Sequence, residues 1–204
     1  MRPQTESILH RFAAAYGLAL ILSASAAQAP DVDWVDEALL ETGEIQIDFG
    51  GERRFHGLVR AAAVIDAPAA AVWSILVDCE SAPDFLENVR SCDLIETLDD
   101  GRAQVFRQRA KLRWFLPTVE HEFRLDYEPF EHIVVSRVSG PFERLLGDWW
   151  LEPDGNDRTR VVYRLELEPG PLIPDFLLTT PLRRDIVNAL QMVQQRAQAS
   201  QLSD

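Results

Sequence analysis

Apolar and polar positions along the chain change period several times, and each change marks an element. Residues 55–65 form a strand-like apolar stretch ending at Asp66-Ala67-Pro68. Ala69–Val77 then repeats apolar residues at helical spacing through Val72, Trp73 and Leu76. Asp66 is placed to cap that helix, with Pro68 in its first turn. The stretch Cys79–Leu86, containing Pro83, predicts a short second helix or turn. Strand patterns come next, near 89–98, 102–113, 118–127, 132–139, 145–153 and 159–168, each closed by turn residues such as Asp99-Asp100-Gly101 or Gly140-Pro141. From Asp175 to Ala199 the period returns to helical. Phe176, Leu182, Ile186, Ala189, Leu190 and Val193 make its apolar stripe, with Arg183, Arg184, Gln194 and Arg196 largely off it. Upstream, residues 30–53 are mixed and acidic, with a short helix or strand at Trp34–Leu40 and alternation over Glu44–Phe49, then a break at Gly50-Gly51. Successive short strands joined by tight turns predict an antiparallel meander, and the long last helix is expected to cover one face of it. The expected order is β–α–α–six β–α.

Composition adds limits rather than identity. The chain has 204 residues, 47% hydrophobic and 26% charged, which suits one globular domain with a real core. Twenty Lys+Arg against 33 Asp+Glu give a net charge of −13, which lacks the basic footprint of a nucleic-acid binder. The same balance argues against simple electrostatic attachment to anionic lipid.

Residues 1–29 differ in character from the rest of the chain. Arg2, His10 and Arg11 make a modest positive start, Phe12–Leu22 is an apolar run, and Ala27-Gln28-Ala29 closes a small-residue stretch. That is the layout of a cleaved secretory signal peptide. The alternative, a membrane anchor, needs about 20 apolar residues, and this run falls short. The expected organisation is a signal peptide over 1–29, an N-terminal extension over 30–53 and a ligand-binding domain over 54–200. Cleavage would leave 18 basic and 32 acidic residues in a periplasmic or secreted protein. An oxidising compartment permits a bridge between Cys79 and Cys92, two buried thiols being the alternative. Without a nearby His pair, the two cysteines make no zinc site, and the chain carries no metal or cofactor signal.

The hairpin over 102–127 assigns its two faces. With the turn at Trp114–Pro117, Lys111 opposes Glu120 and Arg109 opposes Glu122, both on a solvated face. The other face carries Gln104, Phe106, Gln108, Ala110 and Leu112 against Val119, His121, Phe123, Leu125 and Tyr127. It is mostly apolar with a few polar groups, as a ligand cavity is, and also as an imperfect core is. Tyr163 and Leu165 belong to the apolar face of the last strand, with Val161 and Leu167. A lone His on such a face is more often a core residue than a base; His56 and His132 lie near strand starts and carry no signal of their own. Adjacent Trp149 and Trp150 must face opposite sides, and the pattern does not choose between them; Asp148 would face in with Trp150.

The order and wording of these segments resemble the START-like (SRPBCC) superfamily, which includes polyketide cyclases/dehydrases and coenzyme-Q-binding proteins. The residues that carry the resemblance are Ile65–Trp73, Leu76-Val77-Asp78, Phe85–Val89, Gly140-Pro141-Phe142, Gly147-Asp148-Trp149 and the closing helix, spread over roughly residues 55–199. The resemblance implies an α+β helix-grip fold: a curved antiparallel sheet of seven strands wrapped around the C-terminal helix and a deep apolar cavity. It also implies a hydrophobic ligand, but no particular chemistry, since one fold hosts many functions. In such a fold three apolar loops come to one end: Trp114-Phe115-Leu116, Gly140-Pro141-Phe142, and the segment with Leu172, Ile173 and Phe176. They would form a cavity mouth that touches membrane transiently, or a closed lid.

Motifs for acyl, metal or phosphate chemistry (G-x-S-x-G, H-E-x-x-H, a Gly-rich phosphate loop) are missing from the chain. The leading expectation is a carrier for a quinone, fatty acyl lipid or terpenoid. The alternative is a cyclase- or dehydratase-like enzyme using His121, Tyr127 and Tyr163. A weaker third option is an envelope protein that binds another protein through the apolar loops; a filled interior would favour it. Nothing in the chain speaks to oligomeric state.

Overall fold

The computed structural model describes residues 30–50, 57–84, 86–111, 117–155, 157–171 and 179–201. After a one-turn helix α1 (Glu37–Leu40) come β1 (Gln46–Gly50), β2 (Gly57–Ile65), α2 (Ala69–Leu76) and a 3₁₀ turn at Ala82–Asp84. The chain continues through β3 (Val89–Leu98), β4 (Ala103–Ala110), β5 (Val119–Glu128), β6 (His132–Ser139), β7 (Phe142–Pro153), β8 (Thr159–Pro169) and α3 (Thr179–Gln201). All eight strands join one antiparallel sheet in the order β1-β2-β8-β7-β6-β5-β4-β3.

The sheet has eight strands rather than the expected seven. The additional one is β1, from the N-terminal extension, which pairs with β2 from Gln46 opposite Ala62 to Gly50 opposite Leu58. Its alternation of Ile47 and Phe49 with polar residues lets one side pack on the interior, so the edge of β2 is covered instead of left open. One local expectation also changes. Asp66 does not cap α2; the N-cap is Pro68, without a side-chain hydrogen bond. The short helix or turn expected around Pro83 is the 3₁₀ turn Ala82–Asp84.

The hairpin register differs from expectation by two residues. Arg109 opposes Glu120, Arg107 opposes Glu122 and Gln108 opposes His121. Strand β4 ends at Ala110 and β5 begins at Val119, so the connection is longer than a tight turn. A slip of two preserves every face, because the side-chain period of a strand is two. Each Arg therefore still meets a carboxylate, Arg107 on Glu122 at 2.8 Å and Arg109 on Glu120 at 3.8 Å.

The two faces of the sheet are covered differently. On the concave side Ile186, Leu190, Val193 and Ala197 of α3 pack against Val59, Ala61, Ala63 and Ile65 of β2, with Val72 of α2 and Val161 of β8. This is the apolar stripe of α3, one residue every three or four, and burying it holds the helix in the grip of the sheet. On the convex side the N-terminal extension lies over β2, with Leu40 buried on Ala62 and Val64. Asp36 caps α1 by accepting from Ala38 N at 3.0 Å, and Arg160–Glu37 (2.5 Å) and Arg158–Glu41 (3.1 Å) pin the extension to β8. Cys79, after α2, and Cys92, on β3, are joined in a disulfide with Cα atoms 5.6 Å apart. Among the described residues no helix is long and apolar enough to cross a membrane.

Candidate functional site

Between the concave face and α3 lies a cavity of about 320 Å3. Its apolar wall is built from Ala110, Val119, Phe123, Val135, Phe142, Leu145, Trp149, Leu165 and Leu167, with Leu182 from the helix and Val89 at the rim. The polar groups among the lining residues are Gln108, His121, Tyr163 and the pair Asn88–Asp185. A second cavity of about 160 Å3 adjoins it under α2, lined by Ile75, Leu76, Cys79, Ala82, Leu86, Leu125, Ala189 and Val193 with Asp78 as its acidic member, and shares Gln108, Phe123, Val135 and Trp149.

His121 sits on β5 beside a bulge in β6. Glu122 opposes Ser139 while Phe123 opposes Arg137, leaving Val138 as the extra residue of a bulge. Gly140, at φ 117°, then turns the chain directly over His121, and a Cβ there would stand 2.5 Å from the His121 Cβ. The position admits only glycine. Phe142 packs edge-on to the imidazole at 5.4 Å between ring centres and Phe123 lies at 5.7 Å. His121 is 8% exposed, and its Nδ1 is buried without a hydrogen-bond partner among the described residues. Burial in this apolar shell lowers its pKa to about 4, so the ring is neutral at neutral pH. Burial likewise raises the Tyr163 phenol well above its ordinary value, keeping it protonated beside Trp149, whose ring centre is 4.1 Å away. At the rim, Asn88 Nδ2 donates to the Asp185 carboxylate at 2.6 Å and so ties the start of β3 to α3.

Of the residues read from the sequence as cavity wall, Gln108, His121, Phe123, Tyr163 and Leu165 line the larger cavity and Leu125 the smaller. Phe106 and Tyr127 do not line either. Phe106 is stacked behind Phe123 in a packed cluster with Cys92 and Ile133. Tyr127, near the end of β5, donates from its hydroxyl to Gln104 Oε1 at 2.8 Å and meets Trp73 edge-on. Phe142 is no exposed mouth residue: it is buried as the first residue of β7 and faces His121. Leu112, Trp114, Phe115, Leu116, Leu172, Ile173 and Phe176 lie outside the described residues. Trp149 faces the cavity. Trp150 faces the convex side, stacked on His132 at 3.6 Å, and Asp148 on that same side is hydrogen-bonded to His132 Nε2 at 3.0 Å.

Sequence reasoning passed over Asn88, Val135, Leu145 and Asp185. Val135 and Leu145 follow from continuing the alternation along β6 and β7. Asp185 had a signal too: it stands three residues after Leu182 and four before Ala189, a carboxylate on an apolar stripe. Among the described residues no cluster of three or more His, Cys, Asp or Glu could hold a metal ion.

With this geometry in place, comparison with known proteins is decisive at the level of family. A family model described as polyketide cyclase / dehydrase and lipid transport matches residues 65–193. The chain belongs to this family. Solved structures agree on the fold. An aromatase/cyclase, Zhui, from Streptomyces sp. R1128 superposes with a TM-score of 0.60 at 19% identity, covering 69% of this chain and 93% of that one. A STAR-related lipid transfer protein from Xanthomonas axonopodis gives a TM-score of 0.62 at 19% identity, with 76% and 98% covered. A START superfamily protein from Mycobacterium smegmatis gives 0.60 at 17%, with 70% and 97% covered. No curated protein sequence matches the chain. The polyketide cyclase / dehydrase and lipid transport family thus has here a member whose sheet gains an eighth strand.

Proposed function

We propose that the protein is a binding or transfer protein for a hydrophobic small molecule or lipid, periplasmic or secreted after removal of residues 1–29. The observation that carries this reading is the apolar cavity between the concave face and α3, interrupted by a few polar groups. Transfer of apolar ligand surface from water into such a cavity is favourable by roughly 25 cal/mol per Å2, and Gln108, His121 and Tyr163 would set orientation. A quinone, a fatty acyl lipid and a terpenoid all meet that description. The likeness to a STAR-related lipid transfer protein supports the same reading. Transient membrane contact through the loops around the cavity belongs to this reading as the route of loading. Mass spectrometry of organic extracts of protein purified from its native envelope should show a co-purifying lipid. No such lipid, together with no binding of labelled fatty acids or quinones, overturns the proposal.

One observation favours a second reading, a cyclase- or dehydratase-like enzyme. His121 and Tyr163 reach the same cavity, the imidazole neutral and the phenol protonated, a pairing able to accept and donate protons. The aromatase/cyclase neighbour gives it context. Tyr127, outside the cavity, has no part in it. If a turnover is found, replacing His121 and Tyr163 must abolish it; unchanged turnover ends this reading. The third option, a filled protein-docking module, is disfavoured by the presence of the cavity.

A further inference from the structure

The two cavities do not have equal roles. Their shared wall is Gln108, Phe123, Val135 and Trp149, and Gln108 is the polar member of that set. Across the β4–β5 ladder Gln108 stands directly opposite His121, on the same concave face. A neutral amide and a buried imidazole whose Nδ1 has no partner among the described residues are therefore neighbours where the larger cavity meets the smaller. Polar groups placed there at the cost of desolvation hydrogen-bond to whatever fills the space. The larger cavity, about 320 Å3, has twice the volume of the smaller, about 160 Å3.

We infer that the ligand has two apolar parts of unequal size joined through an oxygen-bearing carbon, a ketone, ester or secondary alcohol, that hydrogen-bonds at the Gln108–His121 step. The larger part, a ring system or folded chain, occupies the space against His121, Phe142 and Tyr163. The smaller part is a short alkyl segment running under α2 toward the Cys79–Cys92 bridge. This inference rests on the ligand-binding reading above, and names its ligand class and orientation. The imidazole is neutral in this setting, which suits an uncharged oxygen.

The test uses the purified protein with two homologous series: phenyl alkyl ketones and the matching phenylalkanes, with tails lengthened one carbon at a time. Calorimetry should show each ketone binding about tenfold tighter than its hydrocarbon, the worth of one well-made hydrogen bond. Affinity should rise with tail length and stop rising once the smaller cavity is filled. Gln108→Leu and His121→Phe should each reduce the preference for ketone over the matched hydrocarbon, while Gln108→Asn keeps part of it. The infrared stretch of the bound ketone carbonyl, which needs no variant, should move to lower frequency. Equal affinity for ketone and hydrocarbon, or an unshifted carbonyl stretch, overturns the inference while leaving the ligand-binding reading standing. Binding of neither series overturns the inference, and the ligand-binding reading falls with it only if labelled fatty acids and quinones fail to bind as well.

Discussion

The two faces of this one sheet carry near-identical residues and do opposite things. Each has a histidine and a tryptophan at comparable burial: His121 with Trp149 inside, His132 with Trp150 outside. The outer histidine is satisfied, stacked on Trp150 and bonded to Asp148 at 3.0 Å. The inner one lies among Phe123 and Phe142 with a ring nitrogen left over. Burial alone therefore does not tell the two histidines apart; the unmet hydrogen bond beside empty space does.

The comparison can be broken or sharpened by substitution. The largest effect is expected where the concave face is filled: Leu190→Ala, at a fully buried position of α3, should lower unfolding free energy by about 2–5 kcal/mol in denaturant titration. Replacing both Cys79 and Cys92 by Ser should cost about 3 kcal/mol in the chain-entropy model, since the bridge closes a short loop of sequence separation 13. The same loss is expected when reductant is added to the native protein during a thermal melt.

Acidification sharpens the contrast next. His121 takes up its proton near pH 6.5 when unfolded and near pH 4 when folded. The unfolded chain then binds more protons between those values, so stability falls as pH drops through that window. The total loss is roughly 3 kcal/mol, and it should vanish from the pH–stability curve of His121→Phe. A slope unchanged in that variant would show that the inner histidine is not held neutral by its shell. Smaller again, His132→Ala removes the stacking on Trp150 and the bond to Asp148, with an expected cost of about 1–3 kcal/mol and no effect on ligand affinity. The smallest effect belongs to the solvated side of the β4–β5 hairpin: Arg107→Ala breaks exposed ion pairs to Glu120 and Glu122 and should leave the unfolding midpoint where it is.

Much of this was legible beforehand, for a reason visible in the hairpin. Alternation has a period of two, so even a two-residue error in register left Gln108, His121 and Phe123 on the concave face. Alternation could not tell which residues of that face meet empty space. Phe106 and Tyr127 share the face yet pack against Phe123, Gln104 and Trp73, because the ends of a curved sheet close on neighbouring elements while its middle stays open. Phe142 shows the opposite error. Read as a loop residue, it begins a strand, because Gly140 completes the reversal two residues earlier.

The sequence by itself determined the element order from β2 to α3, the stripe of α3 and the sorting of strand residues between two faces. These depend on periods of about 3.6 and two, which are local properties of the backbone. The tertiary structure decided the eighth strand, the choice between Trp149 and Trp150, the partnership of Asn88 with Asp185 and the isolation of His121. Each of those depends on which distant segment arrives at a given face, and on the volume left when sheet and helix meet. No local period carries that information.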